Sequence, residues 1–397
     1  MLWQLLLKAK IRKATIVQAK KERNLKDKNQ INSLTGLRFI AAFMVFMYHV
    51  SPATLHIWFL FPFGSNGVTL FFTLSGFVIC YNYYSRFSLS FFSAIGNFYR
   101  ARFARIYPVY FLVLAPFILF SFQPTPGYFG DFLPHLTMTQ AWLFDKNKVL
   151  SFNPVAWSVS VEIFFYIAFP FIFLFLLKKL TYLKALYQTG IVIYLALVCY
   201  VVILAFVPDP ATGVEETISY LWAYIFPLPH LADFLLGCLA ALIFDRLRNR
   251  PVTGRELAQA SGLVALSIAL TIFLMFEPFA PVFNLGNLNS LFFAYLIFYL
   301  ARYSTWLQKL LSIRVLVFLG EASYSFYLVH YFCIALTGQL IDYSKFPGVL
   351  AIFITLFISI FFSVLLYLFV EKPFKKLILG RKPTATYDNP LVQGNPT

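Results

Sequence analysis

Residues 347–370 read PGVLAIFITLFISIFFSVLLYLFV, a run without one charged side chain. A helix rises about 1.5 Å per residue, so about 20 such residues cross the roughly 30 Å hydrocarbon core of a bilayer. A helix that is apolar all round needs lipid or a large protein core around it. The run is read as a transmembrane helix, and runs of its kind recur back towards the N-terminus. Spans are predicted at 37–58, 66–84, 103–122, 155–177, 187–207, 218–244, 258–276, 286–302 and 315–337. The predicted fold class is all-α, a polytopic membrane protein of about ten transmembrane helices.

Composition agrees. A soluble domain is roughly 45–50% apolar and about 25% charged. This chain is 60% hydrophobic and 12% charged, with 49 Phe and 24 Tyr in 397 residues. Its net charge of +16 would point to nucleic acid in a soluble protein. Here the placement of the charges matters more. With the N-terminus in the cytoplasm, 29 of the 32 Lys and Arg fall on the inner side, leaving Lys146, Lys148 and Lys345 outside. The outer connections carry Asp131, Asp145, Asp209, Glu215, Glu216, Glu277 and Asp342. The positive-inside rule then predicts N-in, C-in and an even number of spans. The basic excess reads as topological signal and attraction to anionic lipid, not as a nucleic-acid footprint.

Three regions are predicted. Residues 1–32 form a basic cytoplasmic segment whose Leu2, Trp3, Leu6, Ile11 and Val17 suit a helix lying on the inner leaflet. Residues 33–376 form the membrane domain, and 377–397 a polar, disordered cytoplasmic tail. The connection 122–154 has the Pro, Gly and aromatic content of a lid over the outer face. Pro227 and Pro229 predict a kink or break in the sixth span. Cys80, Cys199, Cys238 and Cys333 share no metal-ligand spacing and read as packing residues.

Ionisable side chains are expensive in lipid, so each one inside a span is a functional candidate by default. The set is His49, Glu162, Asp233 and His330, with Arg38, Arg102, Arg105, Glu321 and Glu371 near span ends. His56, His135 and His230, at outer loops or a helix end, are weaker candidates. His49 follows Arg38 by eleven residues, about 16 Å deeper than the inner interface. Glu162 enters from outside and sits about 10 Å below the outer surface, and His330 comes to a similar level. Ser158, Glu162 and Tyr166 are spaced to share one helix face, and Tyr324, Tyr327 and His330 nearly do. A histidine at the depth of a carboxylate is what general-base chemistry on a hydroxyl needs. The same pair would also serve as a polar bridge between helices. Arg102 and Arg105, at i and i+3, read either as a positive-inside anchor or as a phosphate clamp with Arg100 beside it. No Gly-rich phosphate loop, zinc motif or nucleophile elbow competes, and no metal is expected.

Six segments together resemble the acyltransferase-3 family of integral membrane acyltransferases. They are Leu34 to Ala42 (LTGLRFIAA) with His49; Gly67 to Phe77 (GVTLFFTLSGF); Arg102 to Pro108 (RFARIYP); Trp157-Ser158 with Glu162 and Tyr166; Gly320 to His330 (GEASYSFYLVH); and Glu371-Lys372-Pro373. They occur in family order over roughly residues 33–376. The resemblance implies transfer of an acyl group, most often acetyl, from cytoplasmic acyl-CoA (acetyl-CoA) to a hydroxyl. The acceptor it implies is a cell-envelope sugar such as lipopolysaccharide O-antigen or exopolysaccharide, and the location a bacterial inner membrane. By the same likeness His49 is the essential histidine and Glu162 its orienting partner or an outer-side base. Arg38, Arg100, Arg102 and Arg105 would hold the donor. Trp157, Ser158, Tyr166, Asp233, Tyr324, Tyr327 and His330 would contact the acceptor. One departure is visible, since His230 stands where relatives carry arginine three residues before Asp233. Two roles stay open for His49, general base or transiently acylated carrier. The competing classes are an acyltransferase acting on a secreted antibiotic or other small lipid-linked acceptor, a transporter, and a structural or lipid-binding membrane protein.

Overall fold

The computed structural model describes residues 32–50, 61–120, 126–179, 221–274, 289–340 and 348–380. The predicted span at 187–207, Cys199, His56, the basic segment up to residue 31 and the tail from 381 lie outside the described residues. No strand occurs among those described. The helices are α1 (Asn32–Val50), α2 (Phe61–Leu89), α3 (Phe91–Phe120), α4 (Pro126–Leu136), α5 (Lys146–Leu150), α6 (Trp157–Phe175) and α7 (Leu231–Leu247). They continue with α8 (Gly254–Leu274), α9 (Asn289–Arg302), α10 (Trp306–Leu311), α11 (Arg314–Glu321), α12 (Ser323–Leu340), α13 (Gly348–Leu366) and α14 (Lys372–Leu379).

By length and composition α1, α3, α6, α8 and the stretch from α13 through α14 are able to cross a membrane. A sixth crossing results if α11 and α12, bent by 71° at their junction, count as one. Their outer faces suit lipid: α13 exposes Phe353, Phe357 and Phe361, and α8 exposes Leu266 and Phe273. Such a surface would be an aggregation liability in water. The described residues are all-helical, with five or six helices able to cross a membrane, as in a multi-pass membrane protein.

Helices dominate because a backbone in hydrocarbon must satisfy its own N–H and C=O groups. Packing among them uses small residues and aromatic rings. A Cβ on Gly76 of α2 would run into the Phe234 carbonyl of α7, and one on Gly237 of α7 into the Thr73 carbonyl of α2. The two backbones therefore touch through reciprocal glycines, the close approach that small residues permit in lipid. Gly237→Ala is expected to cost about 1–3 kcal/mol through overpacking. A thermal melt of the detergent-solubilised protein checks this, and an unchanged midpoint would mean the helices can part without cost. Around this crossing Phe165 stacks on Phe234 at 4.7 Å, and Phe87, Phe98, Phe169 and Phe173 close the core between α2, α3 and α6.

Several boundaries differ from those the hydropathy predicts. The sixth span is broken as the prolines require: a π-turn at Leu221–Ile225 gives way to turns, and α7 starts only at Leu231. The ninth predicted span is also broken, which no proline announces. Glu321 accepts a hydrogen bond from Tyr367 Oη at 2.6 Å on the surface, while Ser323 Oγ donates to the Gly320 carbonyl at 2.8 Å. An exposed carboxylate keeps α11 at the edge and turns only α12 into the bundle. α3 begins at Phe91, twelve residues earlier than the predicted span, so Arg102 and Arg105 lie within a continuous helix and not at its end. α14 carries the helical chain on to Leu379.

Candidate active site

A cleft of about 700 Å3, its open mouth included, lies between α1, α2, α3, α6 and α12. Its polar lining comprises Arg38, Arg102, Arg105, Glu162, Ser75 and Ser158, with Tyr324 and Tyr327. Predicted residues from four separate segments of sequence thus converge on one space. Three guanidinium groups face it against a single carboxylate. A positive excess in a desolvated site favours an anionic ligand.

The carboxylate is held firmly. Glu162 Oε1 accepts from Tyr166 Oη at 2.5 Å, one turn along α6, and from Ser75 Oγ of α2 at 3.4 Å. Arg102 sits among aromatic rings, its guanidinium carbon 5.7 Å from the Tyr83 centroid, 5.9 Å from Phe98 and 5.5 Å from Tyr166. Faces of aromatic rings attract a desolvated cation. Arg102 Nε is buried with no hydrogen-bond partner among the described residues. A buried donor left open beside a cleft is a donor available to a ligand. Arg100 differs: it is exposed, donates to the Leu379 carbonyl at 3.0 Å and does not line the cleft.

The wall formed by α6 and α12 is pinned by hydroxyls. Ser158 Oγ donates to Tyr327 Oη at 2.7 Å, and Tyr327 Oη donates to the Val155 carbonyl at 3.1 Å. Tyr324 Oη donates to the Ile106 carbonyl at 3.1 Å, tying α12 to α3. Behind Tyr327 lies a second polar group. His49 Nδ1 is 2.9 Å from the Val45 carbonyl and 3.1 Å from His330 Nε2, and His330 Nδ1 is 2.7 Å from the Tyr327 carbonyl. The ring of Tyr327 is 5.9 Å from Phe71, a cleft residue, and 5.8 Å from His330. Cleft and histidine pair therefore meet at Tyr327.

Matching depth suggested His49 and Glu162 as partners. The hydrogen bonds instead join His49 to His330, and Glu162 to Tyr166 and Ser75. Ser75, absent from the predicted site, was legible only as part of the Leu74-Ser75-Gly76 segment. Asp233 and Trp157 lie elsewhere. Asp233 is fully buried, its Oδ2 3.0 Å from His230 Nδ1, and His230 Nε2 reaches the Tyr224 carbonyl at 2.8 Å. His230 is thus the partner of the acid. Trp157 packs against Tyr224 at 5.0 Å and His230 at 5.9 Å and does not line the cleft.

The profile of the acyltransferase-3 family, described as an acyltransferase domain, matches residues 31–368. The chain belongs to the acyltransferase-3 family. It is an acyltransferase, and its relatives carry that name. It is 32% identical over 396 residues to the acyltransferase MdmB of Streptomyces mycarofaciens, covering 92% of this chain and 97% of that protein. It is 26% identical to the peptidoglycan O-acetyltransferase OatA of Listeria monocytogenes and to a putative O-acetyltransferase of Staphylococcus aureus. Each alignment covers 87% of this chain, but only 56% of the Listeria protein and 57% of the Staphylococcus one. No solved structure matches the chain.

Residues 126–156, the segment whose composition predicts a lid, pack against the bundle. Tyr110 Oη of α3 donates to the His135 carbonyl at 2.7 Å and Asn153 to the Leu328 carbonyl of α12 at 3.1 Å. His135 is buried at the centre of the segment, with Nε2 2.8 Å from the Lys148 carbonyl and 3.0 Å from Ser151 Oγ. Its Nδ1 has no partner among the described residues. Burial lowers its pKa, outweighing the Lys148 carbonyl and the Asp131 charge. A depressed histidine pKa means that the unfolded chain binds more protons, so stability is fully present above about pH 6.5 and falls as pH drops below it. The thermal midpoint is expected to decline from about pH 7 to about pH 5.5, and His135→Gln to flatten that decline. Parallel profiles for the two proteins would remove His135 from the effect.

Proposed function

We propose that the protein is an O-acyltransferase that moves an acyl group, acetyl in the first instance, from cytoplasmic acyl-CoA to a hydroxyl of a cell-envelope sugar. The observation carrying this reading is the cleft in which Arg38, Arg102 and Arg105 face one carboxylate. Guanidinium forks match phosphate oxygens, and the donor carries several phosphates. Membership of the family supports the reaction class, and the name of the Listeria relative supports a glycan acceptor.

In this scheme ten spans cross a bacterial inner membrane with both termini inside, as the charge asymmetry of the loops indicates. The donor's phosphates rest on the arginines, and its thioester arm runs past Tyr327 towards His49. The acceptor oxygen attacks the thioester carbonyl carbon, and its proton passes to a ring nitrogen of His49. The carbon–sulfur bond then breaks, and the departing thiolate takes that proton. Glu162, held by Tyr166 and Ser75, balances the arginine charge.

Sided proteoliposomes test the proposal. Labelled acetyl-CoA is supplied only at the face bearing Lys178 and Lys179, with isolated envelope polysaccharide only at the other. Alkali-labile label on the polysaccharide is the expected result. Product formed only when both substrates share one face would overturn transfer across the membrane. No transfer in either arrangement, from acetyl-CoA to polysaccharide, would overturn that donor and acceptor pair.

A further inference from the structure

We infer that His330 is a positioning residue that, together with the Val45 carbonyl, holds His49 in the tautomer protonated on Nδ1, leaving Nε2 as the nitrogen that receives the acceptor's proton. The hydrogen bonds around the two rings require this. His330 Nδ1 lies 2.7 Å from the Tyr327 carbonyl, which can only accept, so that nitrogen carries a hydrogen. In a neutral ring the opposite nitrogen is then bare, and His330 Nε2 is an acceptor. His49 Nδ1 lies 3.1 Å from it and 2.9 Å from the Val45 carbonyl. Both partners accept, so His49 Nδ1 is the donor, shared between them. Its own Nε2 is left with the lone pair.

The opposite arrangement is penalised twice. A proton on His330 Nε2 would face a His49 nitrogen whose N–H the Val45 carbonyl also favours, and would leave His330 Nδ1 bare against the Tyr327 carbonyl. A proton on His49 Nε2 would set a bare Nδ1 against the oxygen of Val45. Both carbonyls belong to the histidines' own helices, four residues back from His49 in α1 and three back from His330 in α12. Neither depends on a mobile side chain. His330 is fully buried, its ring stacked on Phe326 at 6.0 Å and edge-on to Phe46 at 6.3 Å. Nothing among the described residues hydrogen-bonds His49 Nε2, and His49 remains partly exposed. Fixing a catalytic histidine through its second nitrogen is a recurrent device, since the bond made by one nitrogen decides the state of the other. The catalytic meaning of this tautomer rests on the acyl-transfer reading, whereas the tautomer itself does not.

The test uses the full chain, labelled with 15N in histidine and reconstituted in bilayers, where only five histidines contribute ring signals. Comparison with His49→Gln assigns the His49 resonances. The expected spectrum has a protonated Nδ1 and an unprotonated Nε2 on His49. His330→Gln, whose amide oxygen can accept near the position of Nε2, should keep that pattern, and His330→Leu should give mixed tautomers. In turnover His330→Leu should lower kcat by roughly 10²-fold with the donor KM unchanged, and His330→Gln should recover most of it. A wild-type His49 protonated on Nε2, or one tautomer population in both His330 variants, overturns the proposal. If His330→Leu does not fold, the wild-type and His330→Gln spectra still decide. The stated tautomer in a protein that transfers no acyl group would uphold this assignment and defeat the acyl-transfer reading.

Discussion

Replacing His49 with alanine is expected to reduce acyl transfer to background, a fall in kcat of roughly 10²- to 10⁴-fold, the range that a positioned acid–base group contributes. His49 is, with Arg38, one of the two residues of α1 assigned to the chemistry, and it sits among aromatic rings. Tyr48 and Tyr331 approach it edge-on at 5.0 and 5.6 Å. Truncation leaves His330 Nε2 without a donor, at a cost of about 1–3 kcal/mol of stability, so the variant must be compared at equal membrane insertion. Size-exclusion of the solubilised protein supplies that control. Retained turnover in a correctly inserted His49→Ala protein would remove His49 from the reaction and return it to the role of a polar bridge.

The second large effect is expected at the donor side. Neutralising Arg102 and Arg105 together should weaken acyl-CoA binding by roughly 1.5–3 kcal/mol for each charge-assisted hydrogen bond removed. At about 1.4 kcal/mol per tenfold, each arginine accounts for roughly a 10- to 150-fold rise in Kd. The two positions are not equivalent. Arg102 is enclosed by Tyr83, Phe98 and Tyr166 and neighbours the bonded pair Tyr166 and Glu162, so its removal also strips a cation from that group. Arg105→Gln alone is therefore the cleaner measurement, read by titrating a non-hydrolysable acyl-CoA analogue into protein matched for insertion. Unchanged affinity in both the single and the double variant would assign the pair to topology and not to the donor.

Much of the site was legible because its residues are costly in lipid. Arg38, Arg102, Arg105, Ser158, Glu162, Tyr324 and Tyr327 stand out by charge, spacing or motif, and all seven line the one cleft. Partners are harder to read. Depth along a helix follows from residue number at about 1.5 Å per residue, so His49, Glu162 and His330 are assigned similar levels. Level is one coordinate of three. It says nothing about which helices are neighbours or which way each face is turned, and His49 pairs with His330 instead of Glu162 for that reason. Asp233 shows the same limit from another side: an acid inside a span marks a site or one half of a local pair, and His230 three residues earlier pairs with its Oδ2.

Hydropathy and motif order by themselves determined that this is a helical multi-pass membrane protein and an acyltransferase. Both properties are local, since the cost of placing a segment in lipid is summed over its own side chains and a motif is read from its own spacing. The tertiary structure alone decided the partners. The reciprocal approach of Gly76 and Gly237, the break between α11 and α12, the rings around Arg102 and the pairing of His49 with His330 all depend on helices distant in sequence meeting at one angle and one register. That geometry is set by how side-chain volumes and backbone approach fit where helices meet, a property of pairs of surfaces that no single segment carries.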